Sequence, residues 1–442
     1  MIAKIKSFLR RHVPHSSVRY AYVRTFFSWS KLPPGKLIRL DHQEMTNRTV
    51  LLELASQWGP VFKAIAWGEL GICVVGIPLG RRLLKDHAAD LKPMTIELAP
   101  LFPKGFLRQM QGEEHRTYRK ALTQAIRPSD LAANIPSLET IATRGLEDYV
   151  ARQNDHQDSP EAYISTLNTI ASGMLVQIVL GAAFGSASFD QIMQGYRKLG
   201  PCGLVWNIGD AHREAFEEIR DHLIDQFSRG LASRSMESQP SILGRIISEG
   251  LPDATLLGNL IYMVEMGRYD TYSLFRWLTK YASENPEMLA RIALEDPDAT
   301  PDRTSFTEAF VLETLRTDQT ERLMRKAQRD FVFEGYLIPK HATVRVCLWE
   351  SHKSPDAFPE PFRFNPERFI TGYPNGDQFA PFGLDHHLCP FAEIAIKTSM
   401  IFLRVLARSY TVAPIADGLP VRGLYHWEPA SQFGVRLHPQ GS

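Results

Sequence analysis

One cysteine lies in a segment whose residue types suit a metal ligand. The segment reads Phe379-Ala-Pro-Phe-Gly-Leu-Asp-His-His-Leu-Cys389, and Pro390 follows it. Because proline suits the first position of a helix, the sequence predicts that Cys389 is the N-cap residue of a helix. The positive end of that helix and its backbone N–H groups would favour a thiolate at Cys389, which is an anionic metal ligand. The alternative is a buried, inert thiol, the usual state of an isolated cysteine.

Zinc ligation is a second interpretation of the same segment. Asp385, His386, His387 and Cys389 are all of zinc-binding types, but a zinc site normally needs a second ligand pair at a defined spacing, and the sequence offers no convincing one. The remaining cysteines are too scattered for a disulfide framework: Cys73, Cys202 and Cys347. This distribution favours a reducing, cytoplasmic compartment and one cysteine with a special role.

The elements that would position Cys389 are mostly helical. Helical periodicity is predicted over residues 113–126, 163–180, 211–231, 253–283, 304–316 and 390–407. A hairpin is predicted over 61–75, and alternating apolar residues predict short strands over 331–348. The expected fold class is therefore mostly α with a small β-rich part near the N-terminus. Because no long linker divides the chain, residues 41–442 are predicted to be a single domain that follows a leader, residues 1–40.

Composition excludes several classes of protein. The 442 residues are 44% hydrophobic and 22% charged, which is typical of a globular chain. Lys plus Arg number 50 against 49 for Asp plus Glu, so a nucleic-acid partner is not expected. Lys4 and Lys6 interrupt any signal-peptide core, and no apolar stretch is long enough to span a bilayer. The apolar face of residues 2–9 allows a weak contact with a membrane surface, or packing on the protein itself.

The cysteine segment, together with further motifs, resembles the haem-thiolate cytochrome P-450 superfamily. Phe382, Gly383, His387 and Cys389 match the spacing of its cysteine loop. Other matching motifs, in the family's order, are His115-x-x-x-Arg119, Glu313-Thr-Leu-Arg316, Tyr336-Leu-Ile-Pro-Lys340, His352, Pro355, Phe358-Pro-Glu-Pro361 and Phe364-Asn-Pro-Glu-Arg368-Phe369. The resemblance covers roughly residues 40 to 437 and implies the cytochrome P-450 fold, with haem between the long central helix and the helix after the cysteine loop.

Two positions of the cysteine loop depart from the family pattern. Asp385 stands where a glycine is usual, so a residue that permits a tight turn is lost. Phe391 stands where the glycine after Cys-x is usual, which brings a bulky ring to the start of the helix.

The resemblance implies a cofactor and a role for each matching residue. Haem b would be bound with the Cys389 thiolate as the axial ligand of its iron, which favours O–O cleavage. The residues that would contact the haem or its propionates are His115, Arg119, Arg325, His387, Phe382 and Gly267. Glu313, Arg316 and Arg368 would form a structural ion network, which fixes geometry more than it adds stability.

The long helix after Pro252 departs from the family's oxygen-activating motif, Ala-Gly-x-acid-Thr-Thr. Alignment through Trp277 gives Met266-Gly267-Arg268-Tyr269-Asp270-Thr271, so Tyr269 takes the acid position and Asp270 the alcohol position. At about 100° per residue, Asp270 and Thr271 lie one turn beyond Gly267, whereas Tyr269 points largely away. We therefore expect Asp270 and Thr271 to be catalytic, with Asp270 as a proton donor or a contact for a polar substrate group. The alternative is that Asp270 pairs with Arg268 or Lys280 and takes no part in the reaction.

The resemblance leaves three functions open. The first is a monooxygenase that acts on a hydrophobic small molecule in specialised metabolism, with electrons from a separate ferredoxin or flavoprotein reductase. The second is a haem-thiolate enzyme without the usual use of O2: a peroxygenase, or a rearrangement or dehydration catalyst. Peroxide-using relatives hold a substrate carboxylate with an arginine of this helix, and Arg268 lies one residue too early for that match. The third is a non-catalytic haem-binding relative.

Overall fold

The computed structural model describes most of the chain. The described residues are 16–27, 30–40, 47–66, 68–94, 101–102, 104–154, 159–200, 209–233, 240–248, 253–296, 304–319, 323–372, 374–423 and 426–440. The predicted membrane-contacting residues 2–9 and Cys202 lie outside these ranges. The chain forms two compact units, so the prediction of one domain over 41–442 stays a prediction. Unit 1 comprises Met1–Thr95, Leu315–Cys389 and Val421–Trp427, and unit 2 comprises Ile96–Thr314, Pro390–Pro420 and Glu428–Ser442.

Helices account for most of the described residues. The α-helices are α1 Ser16–Phe27, α2 Val50–Trp58, α3 Ile77–Asp86, α4 Gly112–Ala125, α5 Pro128–Asn154, α6 Pro160–Leu175, α7 Ala187–Leu199, α8 Asp210–Ser233, α9 Ile242–Ser248, α10 Ala254–Glu284, α11 Pro286–Ala293, α12 Phe306–Thr314, α13 Leu348–Ser351, α14 Glu367–Thr371 and α15 Ala392–Ser409. Two π-helical turns, Val176–Leu180 and Leu315–Gln319, continue α6 and α12, and Asp385–His387 is a 3₁₀ turn. The prediction of a mostly helical chain is confirmed.

In the part of the chain that the structure describes, the strands form one larger sheet and three pairs. Their bounds are β1 Val61–Ala66, β2 Glu69–Val75, β3 Leu91–Pro93, β4 Leu323–Ala327, β5 Phe331–Phe333, β6 Tyr336–Ile338, β7 Thr343–Cys347, β8 Tyr410–Ala416, β9 Val421–Arg422, β10 Trp427–Glu428 and β11 Gly434–Pro439. The larger sheet has the order β1-β2-β7-β4-β3 and belongs to unit 1. The predicted hairpin over 61–75 and the short strands within 331–347 are confirmed, whereas Leu348, predicted to lie in a strand, begins helix α13.

The sheet of unit 1 joins distant parts of the sequence. β1 and β2 are antiparallel neighbours, whereas β2 and β7 run parallel, with Ile72 opposite Val344 and Val74 opposite Val346. These four side chains are buried, and they pack in one apolar cluster with residues of α1, α3 and β4. The sheet therefore supports β4, which carries Arg325.

Helix α10 is the centre of unit 2. It packs on α6, α8, α12 and α15, and the rings of Phe275 and Phe402 stack with centroids 4.2 Å apart. Residues at steps of three and four along α10 form a stripe in which Leu260, Val264, Thr271, Leu274 and Leu278 are each at most 5% exposed and Gly267 is half-buried. Helix α10 therefore holds Gly267 to Thr271 on a rigid, well-packed element.

Contrary to the expectation from the sequence, one described helical segment is long and apolar enough to cross a membrane. This segment is Pro160–Leu180, and 78% of its most apolar 18-residue stretch is buried inside the structure. Burial of this kind is typical of a core helix of a folded domain.

Candidate functional site

The cysteine loop of unit 1 is a turn closed by its own backbone. The Cys389 N–H donates to the Phe382 carbonyl oxygen over 3.0 Å, and Gly383 adopts a φ of 96°, which favours glycine. Cys389 itself is half-buried. The loop thus brings Phe382, Gly383 and Cys389 together, as the sequence predicts.

The prediction that Cys389 caps a helix is wrong. Helix α15 begins at Ala392, and its cap residue is Phe391, with φ −101° and ψ 21°. The Phe391 carbonyl accepts the first helical hydrogen bond, from the Ala395 N–H at 2.8 Å. Pro390 lies in the turn before the helix because the backbone becomes helical only after Phe391. Cys389 therefore lies three residues before the first helical residue.

Asp385 adopts the conformation that the missing glycine would have. Its φ is 63°, a region that aspartate tolerates better than most residues, and its side chain accepts the His387 N–H over 2.8 Å. Its other carboxylate oxygen lies 3.3 Å from the Arg325 guanidinium, whose side chain is only 3% exposed. Asp385 thus links the cysteine loop directly to the predicted propionate arginine, a contact that the sequence did not indicate.

Arg316 is a buried hub within unit 1. Its Nη1 donates to the His352 and Pro361 carbonyl oxygens over 3.1 and 2.7 Å, and its Nη2 donates to the Arg363 carbonyl oxygen over 3.4 Å. Arg368 donates to the same Arg363 carbonyl oxygen over 3.3 Å. Arg316 and Arg368 therefore share one acceptor. Glu313, the third predicted member, is fully buried in α12, three residues before Arg316.

The imidazole of His352 beside this hub is kept neutral. Its Nε2 accepts the Ala380 N–H over 3.0 Å, and the ring is fully buried. Burial, with Lys353 and Arg316 as the next causes, holds the pKa of His352 well below its usual value. Ala380 begins the approach to the cysteine loop, so His352 helps to fix the loop's position.

Helix α4 of unit 2 carries the predicted pair of cationic residues. His115 is 7% exposed, and Arg119 lies one turn later on the same face, half-buried. Glu113 and Glu114 in the first turn of α4 complement the positive end of the helix. The structure thus places both side chains as the spacing predicts, and their contact with haem stays a prediction.

The centre of α10 carries the predicted catalytic residues of unit 2. Asp270 is exposed, whereas Thr271 is 5% exposed. A side chain at Gly267 would come within 3.2 Å of the Leu175 side chain, so α10 and α6 pack closely at this point. The two suggested alternative partners of Asp270 are engaged elsewhere: Arg268 pairs with Glu265, and Lys280 pairs with Glu284 and Asp417.

Sequence analysis missed a cluster on another face of α10. The Tyr269 hydroxyl donates to the Glu428 carboxylate over 2.5 Å, and Arg276 binds the other oxygen of that carboxylate over 2.8 Å. Arg276 also donates to the Pro429 and Ala430 carbonyl oxygens. Tyr269 does point away from the Gly267 face, as predicted. No sequence signal places Glu428 beside it, because the two residues are 159 positions apart.

Comparisons with known proteins agree with these features. The family model for cytochrome P450 matches residues 297–422, which include Glu313, Arg316, Arg325, Arg368 and Cys389. Together with the relatives below, this match supports a divergent member of the cytochrome P-450 family. Abscisic acid 8'-hydroxylase 1 of Oryza sativa subsp. japonica is 26% identical, over 80% of this chain and 78% of that protein. Ent-kaurenoic acid oxidase 1 of Arabidopsis thaliana is 25% identical, over 98% of this chain and 92% of that protein.

A solved structure shares the fold of this cytochrome P-450. A retinoic acid-bound cyanobacterial CYP120A1 superposes with a TM-score of 0.70 at 20% identity, covering 93% of this chain and 100% of that chain. The predicted fold class is confirmed. The family model and the relatives support an enzyme of the P-450 monooxygenase class, and that family implies haem b with a cysteine thiolate ligand as the cofactor.

The residues of unit 1 fit this cofactor. A buried guanidinium, Arg325, lies beside the loop that carries the half-buried thiol of Cys389. A cation and a thiol are the donor set that an anionic, iron-containing macrocycle requires. By contrast, Cys347 is unsuitable as a ligand, because burial raises the pKa of its thiol well above the usual value. When bound, the haem supplies the O2 and electron chemistry.

The Asp385–Arg325 contact predicts an effect on haem retention. Asp385→Asn removes a negative charge beside Arg325 and keeps both the loop's acceptor oxygen and a side chain that tolerates positive φ. Arg325, which is predicted to contact a haem propionate, would then no longer be shared with Asp385. Because a partly buried charge contact is worth about 1 kcal/mol, we expect haem loss to be several-fold slower than in the wild type. Haem transfer to apomyoglobin measures the rate.

A matched control is Asp377→Asn, which removes an exposed contact with Arg81 at 3.1 Å in the same unit. Haem loss should be unchanged in that variant. Faster haem loss in Asp385→Asn would show instead that the Asp385–Arg325 contact supports the site.

Proposed function

We propose that this cytochrome P-450 uses O2, and electrons from a separate ferredoxin or flavoprotein reductase, to hydroxylate a hydrophobic organic acid. The substrate class draws on the names of two relatives, one an abscisic acid hydroxylase and the other an ent-kaurenoic acid oxidase. The proposal keeps the predicted reducing, cytoplasmic compartment. Cys389 would hold the iron, and Asp270 and Thr271 would serve the oxygen chemistry.

The observation that favours O2 over peroxide as the oxidant is the state of Arg268. Its guanidinium pairs with Glu265 at 2.7 Å, donates to the Gly200 carbonyl oxygen, and lies 5.6 Å from the centre of the Tyr196 ring. The Arg268 side chain is 5% exposed. An arginine engaged in this way is a poor anchor for the substrate carboxylate that a peroxygenase uses.

An aromatic cluster at the beginning of α10 supports a hydrophobic substrate. The rings of Phe106 and Tyr262 have centroids 4.5 Å apart, and Phe102 contacts both Tyr262 and Phe216 edge to face. Gly258 makes room for this cluster, because a side chain there would come within 2.8 Å of Phe102. Such rings bind apolar skeletons through a large contact area. We assign the half-buried ring of Phe106 to the wall of the substrate pocket, whereas Phe102 and Phe216 are fully buried.

Spectroscopy and a product assay test the proposal. The protein reduced under carbon monoxide should give a red-shifted Soret band of the thiolate type. Abscisic acid and ent-kaurenoic acid are suitable probes, each incubated with O2, NAD(P)H and a ferredoxin–reductase pair, and separately with peroxide alone. Hydroxylated product that depends on the reductant supports the proposal. Product with peroxide alone would favour a peroxygenase, and a histidine-type carbon monoxide spectrum would reject thiolate ligation.

Asp270→Asn tests the role assigned to Asp270. We expect product formation to fall at least tenfold, because a positioned general acid typically contributes more than that, and reducing equivalents should appear as peroxide instead. The measurement is product and peroxide formed per NAD(P)H consumed. Glu284→Gln, at the other end of α10, is the control and should leave both yields unchanged. Unchanged coupling in Asp270→Asn would remove Asp270 from the mechanism.

A further inference from the structure

One face of the first two turns of α10 packs against Phe102 and the segment 104–107 of the same unit. The residues of this face follow one another at steps of three, one and three, a spacing that places side chains on a single side of a helix. They are Thr255, Gly258, Asn259 and Tyr262. The face therefore combines two hydrogen-bonding side chains, one position without a side chain and one aromatic ring.

The two hydrogen-bonding side chains hold the backbone of the segment 104–107. Asn259 Oδ1 accepts the Leu107 N–H over 2.7 Å, and Asn259 Nδ2 donates to the Gly105 carbonyl oxygen over 3.3 Å. Thr255 Oγ1 accepts the Lys104 N–H over 3.2 Å. Because the segment lies in no helix or strand, these side chains do for its backbone what a neighbouring strand would do in a sheet.

Asn259 is an unusual residue for the interior of a buried helix. Asparagine side chains compete with the backbone for hydrogen bonds, so they favour helix caps and turns. Asn259 is only 3% exposed, and its Nδ2 also donates to the Thr255 carbonyl oxygen, one turn earlier, over 2.8 Å. An apolar residue would suit this position of α10 better if the segment 104–107 needed no partner.

The residue between the two peptide groups that Asn259 holds is Phe106. Gly105 precedes it with a φ of 87°, a conformation that glycine permits, and so turns the chain at this point. The Phe106 ring packs edge to face on the Tyr262 ring, with centroids 4.5 Å apart and planes at 74°, and it stays half-buried. The hydrogen bonds of Asn259 on both sides therefore fix where this ring lies.

We propose that Asn259, assisted by Thr255, determines ligand specificity through the Phe106 ring. This inference rests on the proposed function, which assigns Phe106 to the wall of the substrate pocket. Asn259 and Thr255 are positioning residues, because the backbone uses their polar atoms. A ring that is already fixed favours ligands with a large apolar body over small ligands, since little conformational entropy is lost when such a body binds.

A purely structural role is the competing explanation, and Asn134 offers a matched control. This buried asparagine of α5 donates to the Asp130 carbonyl oxygen of its own helix and to the Pro240 carbonyl oxygen, over 2.8 and 2.6 Å. Its Oδ1 accepts the Gln177 side chain over 2.9 Å. Asn134 thus holds another segment of unit 2 with the same kind of contacts.

The experiment compares two ligands that bind the iron of the haem-loaded, full-length protein through the same type of nitrogen. One is imidazole, and the other is an imidazole with a biphenyl group on its second nitrogen. Absorbance titration gives both dissociation constants. We expect Asn259→Ala and Thr255→Val to weaken binding of the biphenyl ligand about two- to tenfold, which is the worth of one aromatic contact, and to leave binding of imidazole unchanged.

Two further variants separate positioning from general stability. Thr255→Ser keeps the hydroxyl and should bind both ligands as the wild type does. Asn134→Ala should lower the midpoint of thermal unfolding, as Asn259→Ala does, without changing the ratio of the two dissociation constants. A ratio that stays unchanged in both Asn259→Ala and Thr255→Val, or that changes equally in Asn134→Ala, would overturn the proposal.

Hydrogen exchange gives a readout that needs neither ligand nor turnover. Peptides that cover residues 104–110 should exchange faster in Asn259→Ala than in the wild type, because the Leu107 amide loses its acceptor. Equal exchange in the two proteins would also overturn the proposal, since the segment would then not depend on Asn259. Failure to hydroxylate the probe acids would reject the proposed substrate class and leave both of these readouts in place.

Discussion

Arg316→Ala is expected to lower the free energy of unfolding by about 3–5 kcal/mol, because it removes a fully buried guanidinium that donates to several backbone carbonyl oxygens. The carbonyl oxygens of His352 and Pro361 would lose the donor that Arg316 supplies, whereas the Arg363 carbonyl oxygen would keep its bond from Arg368. The guanidinium also lies 5.0 Å from the centre of the Phe358 ring, so its removal leaves a cavity. Chemical denaturation monitored by circular dichroism measures the change.

Arg368→Ala is the matched control for this prediction. Arg368 is half-buried, and its bonds to the Pro359 and Arg363 carbonyl oxygens are 3.2 and 3.3 Å long. Arg368→Ala should lower the free energy of unfolding by about 1 kcal/mol, since water can replace a partly exposed donor. Equal losses in the two variants would contradict the view that Arg316 is the hub of the network.

Cys389→Ala is expected to abolish the thiolate-type carbon monoxide spectrum and to reduce product formation below detection. The thiolate sets the electronic properties of the bound iron, and no other ligand type has the same effect. The absorption spectrum of the reduced protein under carbon monoxide checks the first effect, and the product assay checks the second.

Cys347→Ala makes the corresponding change at a cysteine that is fully buried in β7. Since burial raises the pKa of the Cys347 thiol, this residue stays protonated. Cys347→Ala should therefore still give the thiolate-type carbon monoxide spectrum. A thiolate-type spectrum in Cys389→Ala would instead mean that another cysteine binds the iron.

Local patterns predicted the elements that carry the site. Two apolar runs separated by the segment 68–71 predicted the hairpin of β1 and β2, although Glu69 to Gly71 belong to β2 itself, and helical periodicity over 253–283 predicted α10. Helix α5 was not predicted. It contains Pro136 within its 27 residues, and an internal proline interrupts the helical signal.

The details of the site depended on contacts that sequence spacing does not encode. The loss of glycine at position 385 was visible, but the sequence did not show that Asp385 would adopt positive φ and bind Arg325. Helix α15 begins only at Ala392, with Phe391 as its cap residue, so Cys389 is not the N-cap that the sequence predicted. The Tyr269–Glu428 contact joins residues 159 positions apart, so only the folded chain brings them together.

The parallel pairing of β2 with β7 has a consequence for biosynthesis. Ile72 pairs with Val344, so the central strands of the unit 1 sheet lie far apart in the chain, and most of unit 2 is made between them. At translation rates of about 5–20 residues per second, β7 is synthesised on the order of ten seconds to a minute after β2. During that interval an apolar strand edge is exposed, which is a risk of aggregation. Production of this enzyme should therefore depend on chaperones and slow expression more than its final stability would suggest.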